Sequence, residues 1–398
     1  MKATTIWAAL PLPNEELLFD LDVLYRCLQT VPDQRCRQGL RYPLASILMI
    51  GVLAKLAGQD SSRAIAEWAK LRTTELRLLF ALKHQTMPHY STWSRVLGHG
   101  VDPIELEQTL GDFFVSSVSE ASRLQRGRIQ VCLDGKTLRG TIPLGKSQGV
   151  HLLAAYVPQQ GVVLAQMQVN GAFDEPQQAP ALLACLDLRG VVVSGDALFA
   201  HPNLSVQIVQ AHGDYLWVVK ANQGGLYDEI QTLFEPVVTR PGWSAPPMDF
   251  RQAQTVEKGH GRLEKRTITV SSLLADYSAW PAVAQVFKLE SQRTDTLGRS
   301  QHEVRYGITS LPASLADPKR LLQLSRGHGG IENGLHYRRD ATMREDHAQL
   351  RMGHAPHLLA MLNNTAWGLL ARNGASNLAH ARRVLSYQLD KALHALTS

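Results

Sequence analysis

The sequence predicts a mixed α/β chain in which an all-helical region leads into a core of alternating strands and helices that carries a β-rich insertion. Three observations predict it. Apolar residues keep helical spacing up to about residue 125, the pattern changes to strand-like runs from Arg128, and between residues 237 and 311 the alternation gives way to Gly- and Pro-containing loops separating strand-like runs. The division that follows is a helical N-terminal domain at 1–125, a core at 126–236 and 312–372, the insertion at 237–311, and a C-terminal helix at 373–398.

In the first region apolar residues recur at three and four through Ile47, Leu48, Val52 and Leu56, then through Ile65, Trp68 and Leu71. The stretch 44–56 is the most apolar, yet Lys55 interrupts it and it is well short of the ~20 residues a bilayer crossing needs, so it predicts a buried helix. Gly58 ends that helix, and Asp60, Ser61 and Ser62 are good residue types for capping the next. Pro88 with Ser91 opens a further helix through Trp93 and Val96, and both Trp68 and Trp93 are expected in the core. Residues 1–12 lack a cleavage pattern and read as a loose arm, with no targeting segment expected.

Strands begin at 129–133, a short apolar run ending in Asp134. Two more, 152–157 and 162–169, are joined by Pro158-Gln159-Gln160-Gly161, which is turn chemistry. A helix suits 176–186, a buried strand 191–193 ends at Gly195-Asp196, a helix suits 204–211, and 215–219 is a fifth strand. The order βββαβαβ is that of the ribonuclease H-like fold, in which the first and fourth strands are neighbours, so Asp134 and Asp196 are expected side by side. Inside the insertion, 266–270 and 303–308 read as strands; helical periodicity returns from Asp317, broken at Gly353, Pro356 and Gly374, and 379–396 is amphipathic.

Composition sets the outer bounds. With 398 residues, 44% hydrophobic and 19% charged, the chain can bury one large core or two to three smaller ones. A net charge of +6 and a pI of about 9.1 suit a polyanionic partner but are small for this length. The cysteines, Cys27, Cys36, Cys132 and Cys185, form no CxxC pair, which argues against a disulfide framework or structural zinc and fits a reducing cytosol. Repeats and low-complexity tracts are absent from the sequence.

One acidic residue at a strand end, such as Asp134 taken singly, is more often a turn or cap residue than a functional one. Two that converge at one sheet edge repel each other unless a cation compensates, and an all-oxygen ligand set favours Mg²⁺ or Mn²⁺ over zinc.

Five motifs carry a family resemblance. They are the run Leu133-Asp134-Gly135-Lys136-Thr137-Leu138-Arg139-Gly140, then Ser194-Gly195-Asp196-Ala197-Leu198, Lys220-Ala221-Asn222-Gln223, His260-Gly261-Arg262-Leu263-Glu264-Lys265-Arg266, and Ile331-Glu332-Asn333 with Glu345-Asp346. In this order they resemble the H-repeat-associated insertion-sequence transposases, the ISAs group. Arg35, Cys36 and Arg37 within Val31-Pro32-Asp33-Gln34-Arg35-Cys36-Arg37-Gln38-Gly39, and Ala66-Glu67-Trp68, resemble the helical domain that precedes the catalytic core in that group, so the likeness spans nearly the whole chain.

The resemblance implies a DDE transposase with a ribonuclease H-like core. It implies two Mg²⁺ or Mn²⁺ ions held by Asp134 as the bridging ligand, Asp196 and Glu332, and in-line cutting of double-stranded DNA at transposon ends with joining of the 3′-hydroxyl to target. A homodimer on DNA is expected, cytoplasmic and nucleoid-associated, with no membrane. DNA contacts are expected from Lys136, Arg139, Lys220, Asn222, His260, Arg262, Arg266, His328, Asn333 and His336. The sequence departs from the family where His328 is followed by Gly329 and Gly330 instead of Trp, and at Tyr337 and Met343.

By composition alone Glu332, Asp340, Glu345 and Asp346 all qualify as the third acid. Glu332 is preferred because Gly329, Gly330, Ile331 and Leu335 let a helix pack closely on the sheet, with His328 and His336 one turn to either side. Glu345 and Asp346, between Arg344 and His347, read as a solvated turn or a contact to a basic residue. His260, Arg262, Glu264 and Arg266 alternate as one strand face, which fits an exposed salt-bridged strand as well as DNA backbone contact. The late histidines, among them His347, His354 and His357, show no HExxH spacing, which argues against a zinc site.

Overall fold

The structure, a computed structural model, describes residues 15–38, 40–124, 128–235, 248–259 and 261–394. The expected N-terminal arm, His260, and the parts of the insertion and of the last helix at 237–247 and 395–396 lie outside the described residues. In chain order the helices are α1 (Glu15–Leu28), α2 (Leu44–Leu56), α3 (Ser62–Leu71), α4 (Thr73–Leu79), α5 (Tyr90–Arg95) and α6 (Pro103–Leu124). The strands β1 (Ile129–Thr137), β2 (His151–Val157) and β3 (Val162–Val169) follow, then α7 (Glu175–Ala184), β4 (Val191–Gly195), α8 (Pro202–Gln210), β5 (Asp214–Val219) and α9 (Gly224–Phe234). A meander of β6 (Arg251–Gly259), β7 (Arg262–Ser271), β8 (Gln285–Asp295) and β9 (Ser300–Thr309) precedes α10 (Pro318–His328), α11 (Ala355–Arg372) and α12 (Leu378–His394). The chain forms two compact units, one of Met1–Arg126, Gly135–Glu175 and Glu332–Ser398, the other of Gly127–Asp134 and Pro176–Ile331.

The first unit is built on α2, buried along its whole length as its apolar composition requires. A Cβ on Gly51 would stand 3.1 Å from Leu362 of α11 and 3.4 Å from Trp93, so this glycine sets how closely α11 and α5 approach. Trp68 and Trp93 are core residues, as expected. Ser61 caps α3 by accepting from the Ala64 amide, whereas α5 is capped by His89, whose imidazole accepts from Ser91, and not by Pro88 or Ser91. The β2–β3 hairpin pairs from His151↔Val169 to Val157↔Val162. Its turn needs Gly161 twice over: φ is +69°, and a Cβ there would come within 2.5 Å of Ala371 on α11.

In the second unit β1, β4 and β5 run parallel, β9 joins β5 antiparallel, and the meander continues the sheet in the order β9-β8-β7-β6. The strands expected at 266–270 and 303–308 are longer than their apolar runs, and β6 and β8 were not expected; β6 is mostly exposed, so it carries little apolar signal. Phe287, Ile268, Leu216 and Val192 meet Leu321 and Leu324 of α10 in one buried cluster. Asp317 starts that helix, its carboxylate accepting from the Arg320 amide at 2.7 Å with Pro318 in the first turn. Among the described residues no helix is long and apolar enough to cross a membrane.

Candidate active site

β1 and β4 pair in register, Val131↔Val193 and Cys132↔Ser194. The pairing ends at Cys132↔Ser194, two residues before Asp134 on β1 and before Asp196, which lies just beyond β4; the two strands expected to be neighbours are neighbours. The backbone around Asp196 is tightly held. Its Oδ1 accepts from the Leu198 amide at 2.9 Å, and a Cβ on Gly195 would fall 2.8 Å from Phe199 and 2.9 Å from the fully buried Trp217, so only glycine lets the chain fold back there. The side chains of Asn222 and Gln223 both donate to the Ala197 carbonyl, at 3.3 and 3.0 Å, and Gln223 also reaches Ala200 at 3.2 Å. The Lys-Ala-Asn-Gln motif thus braces the loop that follows Asp196, while Lys220 itself is exposed.

A buried polar spine lies beneath the two aspartates. Gln130, Cys132 and Asp134 share one face of β1 by strand alternation. The Gln130 amide, fully buried, donates to Ser194 Oγ and to the Leu324 carbonyl of α10, both at 2.8 Å, and Cys132 Sγ lies 3.6 Å from the Gly327 carbonyl. A Cβ on Gly327 would stand 2.1 Å from Gln130 Oε1, so α10 crosses these strands as closely as a helix can. Burial lowers the His328 pKa at the end of α10, against an opposing pull from the Asp196 charge.

In the other unit, Glu332 is an exposed residue that opens a π-helical turn, Glu332–His336, where an α-helix was expected. The side chain of Asn333 lies outside the described residues. His336 is pushed down to about 3 by burial and by the Arg339 and Lys136 charges, so its imidazole is neutral at pH 7 and offers no cation to a phosphate.

Lys136 is not on the surface. It is buried, and its Nζ stands 2.6 Å from Asp340, 3.2 Å from Asp346 and 3.6 Å from Glu345. Glu345 is buried as well, bonded by Arg339 Nε and Asn363 Nδ2, each at 2.8 Å, so it does not form a solvated turn. Arg339 also donates to Gln166 of β3 at 3.1 Å, which completes a polar network that sequence reasoning missed. Its only local signal was the acidic content of 340–346. Arg139, by contrast, is 81% exposed, with Asp346 3.8 Å away.

On the meander, Arg266 pairs with Glu264 at 2.7 Å and Glu257 at 3.4 Å, and Arg262 reaches Glu264 at 3.8 Å while staying half exposed. The alternating motif is therefore a salt-bridged strand face with Arg262 left partly open. Among the described residues, no group of three or more His, Cys, Asp or Glu side chains is close enough to hold a metal ion. The donor chemistry of Asp134 and Asp196, carboxylates on and just beyond two paired strands, fits a hard oxygen-seeking cation.

Known proteins bear on this geometry. A family model described as DDE_Tnp_1-associated matches residues 25–114, and one described as transposase DDE domain matches residues 125–369. The chain is 31% identical over 315 residues to an "Uncharacterized protein in dhlA 3'region" of Xanthobacter autotrophicus, covering 78% of this chain and 98% of that one. It is 28% identical to the "Putative transposase YncI" of Escherichia coli O157:H7, covering 86% of each. To the "H repeat-associated putative transposase YhhI" of Escherichia coli K12 it is 24% identical, covering 94% of this chain and 96% of that one. With the domain model spanning both aspartates, Glu332 and the meander, this chain belongs to the DDE transposase family.

Proposed function

We propose that the chain cuts double-stranded DNA at the ends of an insertion sequence and joins the freed 3′-hydroxyl to target DNA, with Asp134, Asp196 and Glu332 as its catalytic carboxylates. The observation that carries the reading is the parallel pairing of β1 with β4, a register that, continued two residues past Cys132↔Ser194, would bring Asp134 level with Asp196. Parallel β1, β4 and β5, with the β2–β3 hairpin between β1 and β4 in sequence, support a ribonuclease H-like core. Asp134, Asp196 and Glu332 would hold Mg²⁺ or Mn²⁺, and two such ions, when bound, activate the attacking oxygen and offset charge on the leaving one.

The chain's own residues do the positioning. Gly195 and the Asn222–Gln223 brace keep the Asp196 loop in one shape, and the Gln130 spine keeps β1 and β4 in step. Arg139, Lys220 and Arg262, exposed or half exposed, are the side chains proposed to meet phosphate. Lys136 serves instead to hold its acidic neighbours. The helical region up to about residue 125 is proposed to recognise the transposon ends, and the working form to be a homodimer on DNA at the nucleoid.

The test is cleavage of DNA carrying the inverted repeats that flank the gene. Cutting is expected with Mg²⁺ or Mn²⁺ and not in excess chelator. Asp134→Asn and Asp196→Asn each abolish it while circular dichroism and DNA binding stay intact. Undiminished cutting in chelator, or by either variant, would overturn the reading.

A further inference from the structure

Strand alternation puts Arg262, Glu264 and Arg266 on one face of β7, and the register sets Glu264 opposite Glu257 on β6 and opposite Arg293 on β8. Two carboxylates directly across a strand pair repel each other. Guanidiniums hold these two in place. Arg266 reaches Glu264 at 2.7 Å and Glu257 at 3.4 Å, Arg293 Nε donates to Glu264 at 2.9 Å, Arg262 stands 3.8 Å from Glu264, and Arg326 of α10 reaches Glu257 at 2.6 Å. Burial works against the Glu264 charge, but the hydrogen bond from Arg293 and the charges of Arg266, Arg293 and Arg262 hold its pKa below the usual value, so it stays ionised at pH 7.

Neutralising two carboxylates takes two cations, and among the described residues this cluster has four. Exposed ion pairs add little to stability, so folding does not account for the surplus. The spare charge is open to solvent: the Arg262 side chain is 52% exposed and that of Arg293 41%, against 8% for Glu264. A guanidinium has five N–H donors, and Arg293 spends its Nε on Glu264, which fixes the plane of the group and leaves its outer edge to solvent. The same sheet face carries Arg305 on β9, through the register Ile268↔Leu289↔Arg305. The charges of Arg305 and Asp196 both act on His328 at the end of α10, so within this one unit the cationic face runs toward the Asp196 carboxylate.

Forked donors held in a fixed plane, with positive charge to spare, suit a phosphodiester, whose two free oxygens take parallel N–H···O bonds from one guanidinium. We infer that Glu264 is a positioning residue that sets Arg262 and Arg293 as a fork for a backbone phosphate of DNA lying along the meander. The carboxylate thus supports a contact that its charge alone would oppose. This inference rests on the reading of the chain as a DNA-cutting enzyme.

The test is binding of the full chain to a fluorescent duplex of the flanking inverted repeat, read by anisotropy across a salt series without divalent ion. Removing a negative charge should, by Coulomb attraction alone, tighten binding to DNA. Glu264→Gln is expected to weaken it on the order of tenfold, the loss of one charge-assisted contact. Arg293→Lys keeps the charge and loses the fork, so it should weaken binding nearly as much as Arg293→Gln. Only Arg293→Gln should also lower the steepness of log affinity against log salt, by about one. A scrambled duplex should give the same ratios, because phosphate carries no sequence. Unchanged or tighter binding by Glu264→Gln, or wild-type affinity in Arg293→Lys, overturns the fork. If Glu264→Gln melts below the assay temperature, the two variants at the half-exposed Arg293 decide alone. Lost self-association at unchanged DNA affinity gives the face to a second copy and also overturns it. Variants that weaken binding as expected in a wild type that fails to cut with Mg²⁺ overturn the transposase reading and leave the fork standing; a wild type that cuts while all three variants bind normally does the reverse.

Discussion

Replacing Glu345 with Gln is a sharp test of how the segment after Glu332 is held. The two side chains of the Arg339–Glu345 pair are 1% and 2% exposed, and Asn363 and Lys136 complete the carboxylate's surroundings. Burial pushes the Glu345 carboxyl up, but the Arg339 and Lys136 charges and the hydrogen bonds from Arg339 and Asn363 hold it below its usual value on balance. Gln keeps the volume and loses the charge, which strands a guanidinium that cannot shed its proton. Breaking a buried pair in this way costs about 3–5 kcal/mol. Gln can still accept one of the two hydrogen bonds, which favours the lower end, and ~3 kcal/mol corresponds to a fall of roughly 6–12 °C in Tm for a unit of this size. Calorimetry at pH 7 reads it directly. The sign with pH also follows. A depressed carboxyl contributes its stability above the unfolded value of 4.5 and loses it as pH falls through the folded one, so the gap between wild type and variant should narrow below about pH 4.5. A Tm within ~2 °C of wild type at pH 7, a change too small for a lost buried pair, or a gap that persists in acid, refutes the reasoning. Arg339→Met with Glu345→Leu should recover much of the loss, because an apolar pair leaves no charge stranded.

Three further outcomes are expected. Glu332→Gln should remove metal-dependent cleavage as fully as Asp134→Asn, while folded Glu345→Gln keeps substantial activity; the opposite ranking in a cleavage assay at equal DNA binding moves the third ligand to Glu345. Lys55 is driven by burial down to about 8 from 10.5, so between those values the unfolded chain holds more protons and native stability rises with pH. Lys55→Met should therefore raise the pH 7 Tm, with a gain of roughly 3 kcal/mol at most that fades by pH 10, and a loss of stability at both pH values counts against it. Gly327→Ala should cost about 1–3 kcal/mol by overpacking against Gln130, and Gln130→Ala in the same chain should relieve part of that in denaturant titrations; additive losses would mean that the two do not touch.

The alternating core was legible because its strands are short apolar runs, and the order of strands and helices was enough to make β1 and β4 neighbours. The meander was harder to read. β6 is almost wholly polar, and its place in the sheet depends on cross-strand pairing that local composition does not carry. Lys136 was misplaced for a related reason. Beside Asp134 and Arg139 it resembles a phosphate contact, yet its partners lie about two hundred residues away. Glu345 likewise reads as surface beside Arg344 and His347, and only long-range pairing with Arg339 and Asn363 buries it.

The antiparallel bond between β5 and β9 limits what can be removed from this chain. Leu216↔Thr309 through Val219↔Tyr306 satisfy the backbone along the far side of β5, so the meander extends the sheet and is not a detachable ornament. Deleting it would leave β5 with a bare row of amides and carbonyls, the template on which chains aggregate. Shortened descendants of such a gene would then be expected to lose solubility before they lose their catalytic carboxylates, and viable length variation should collect at the β8–β9 hairpin tip around Gly298.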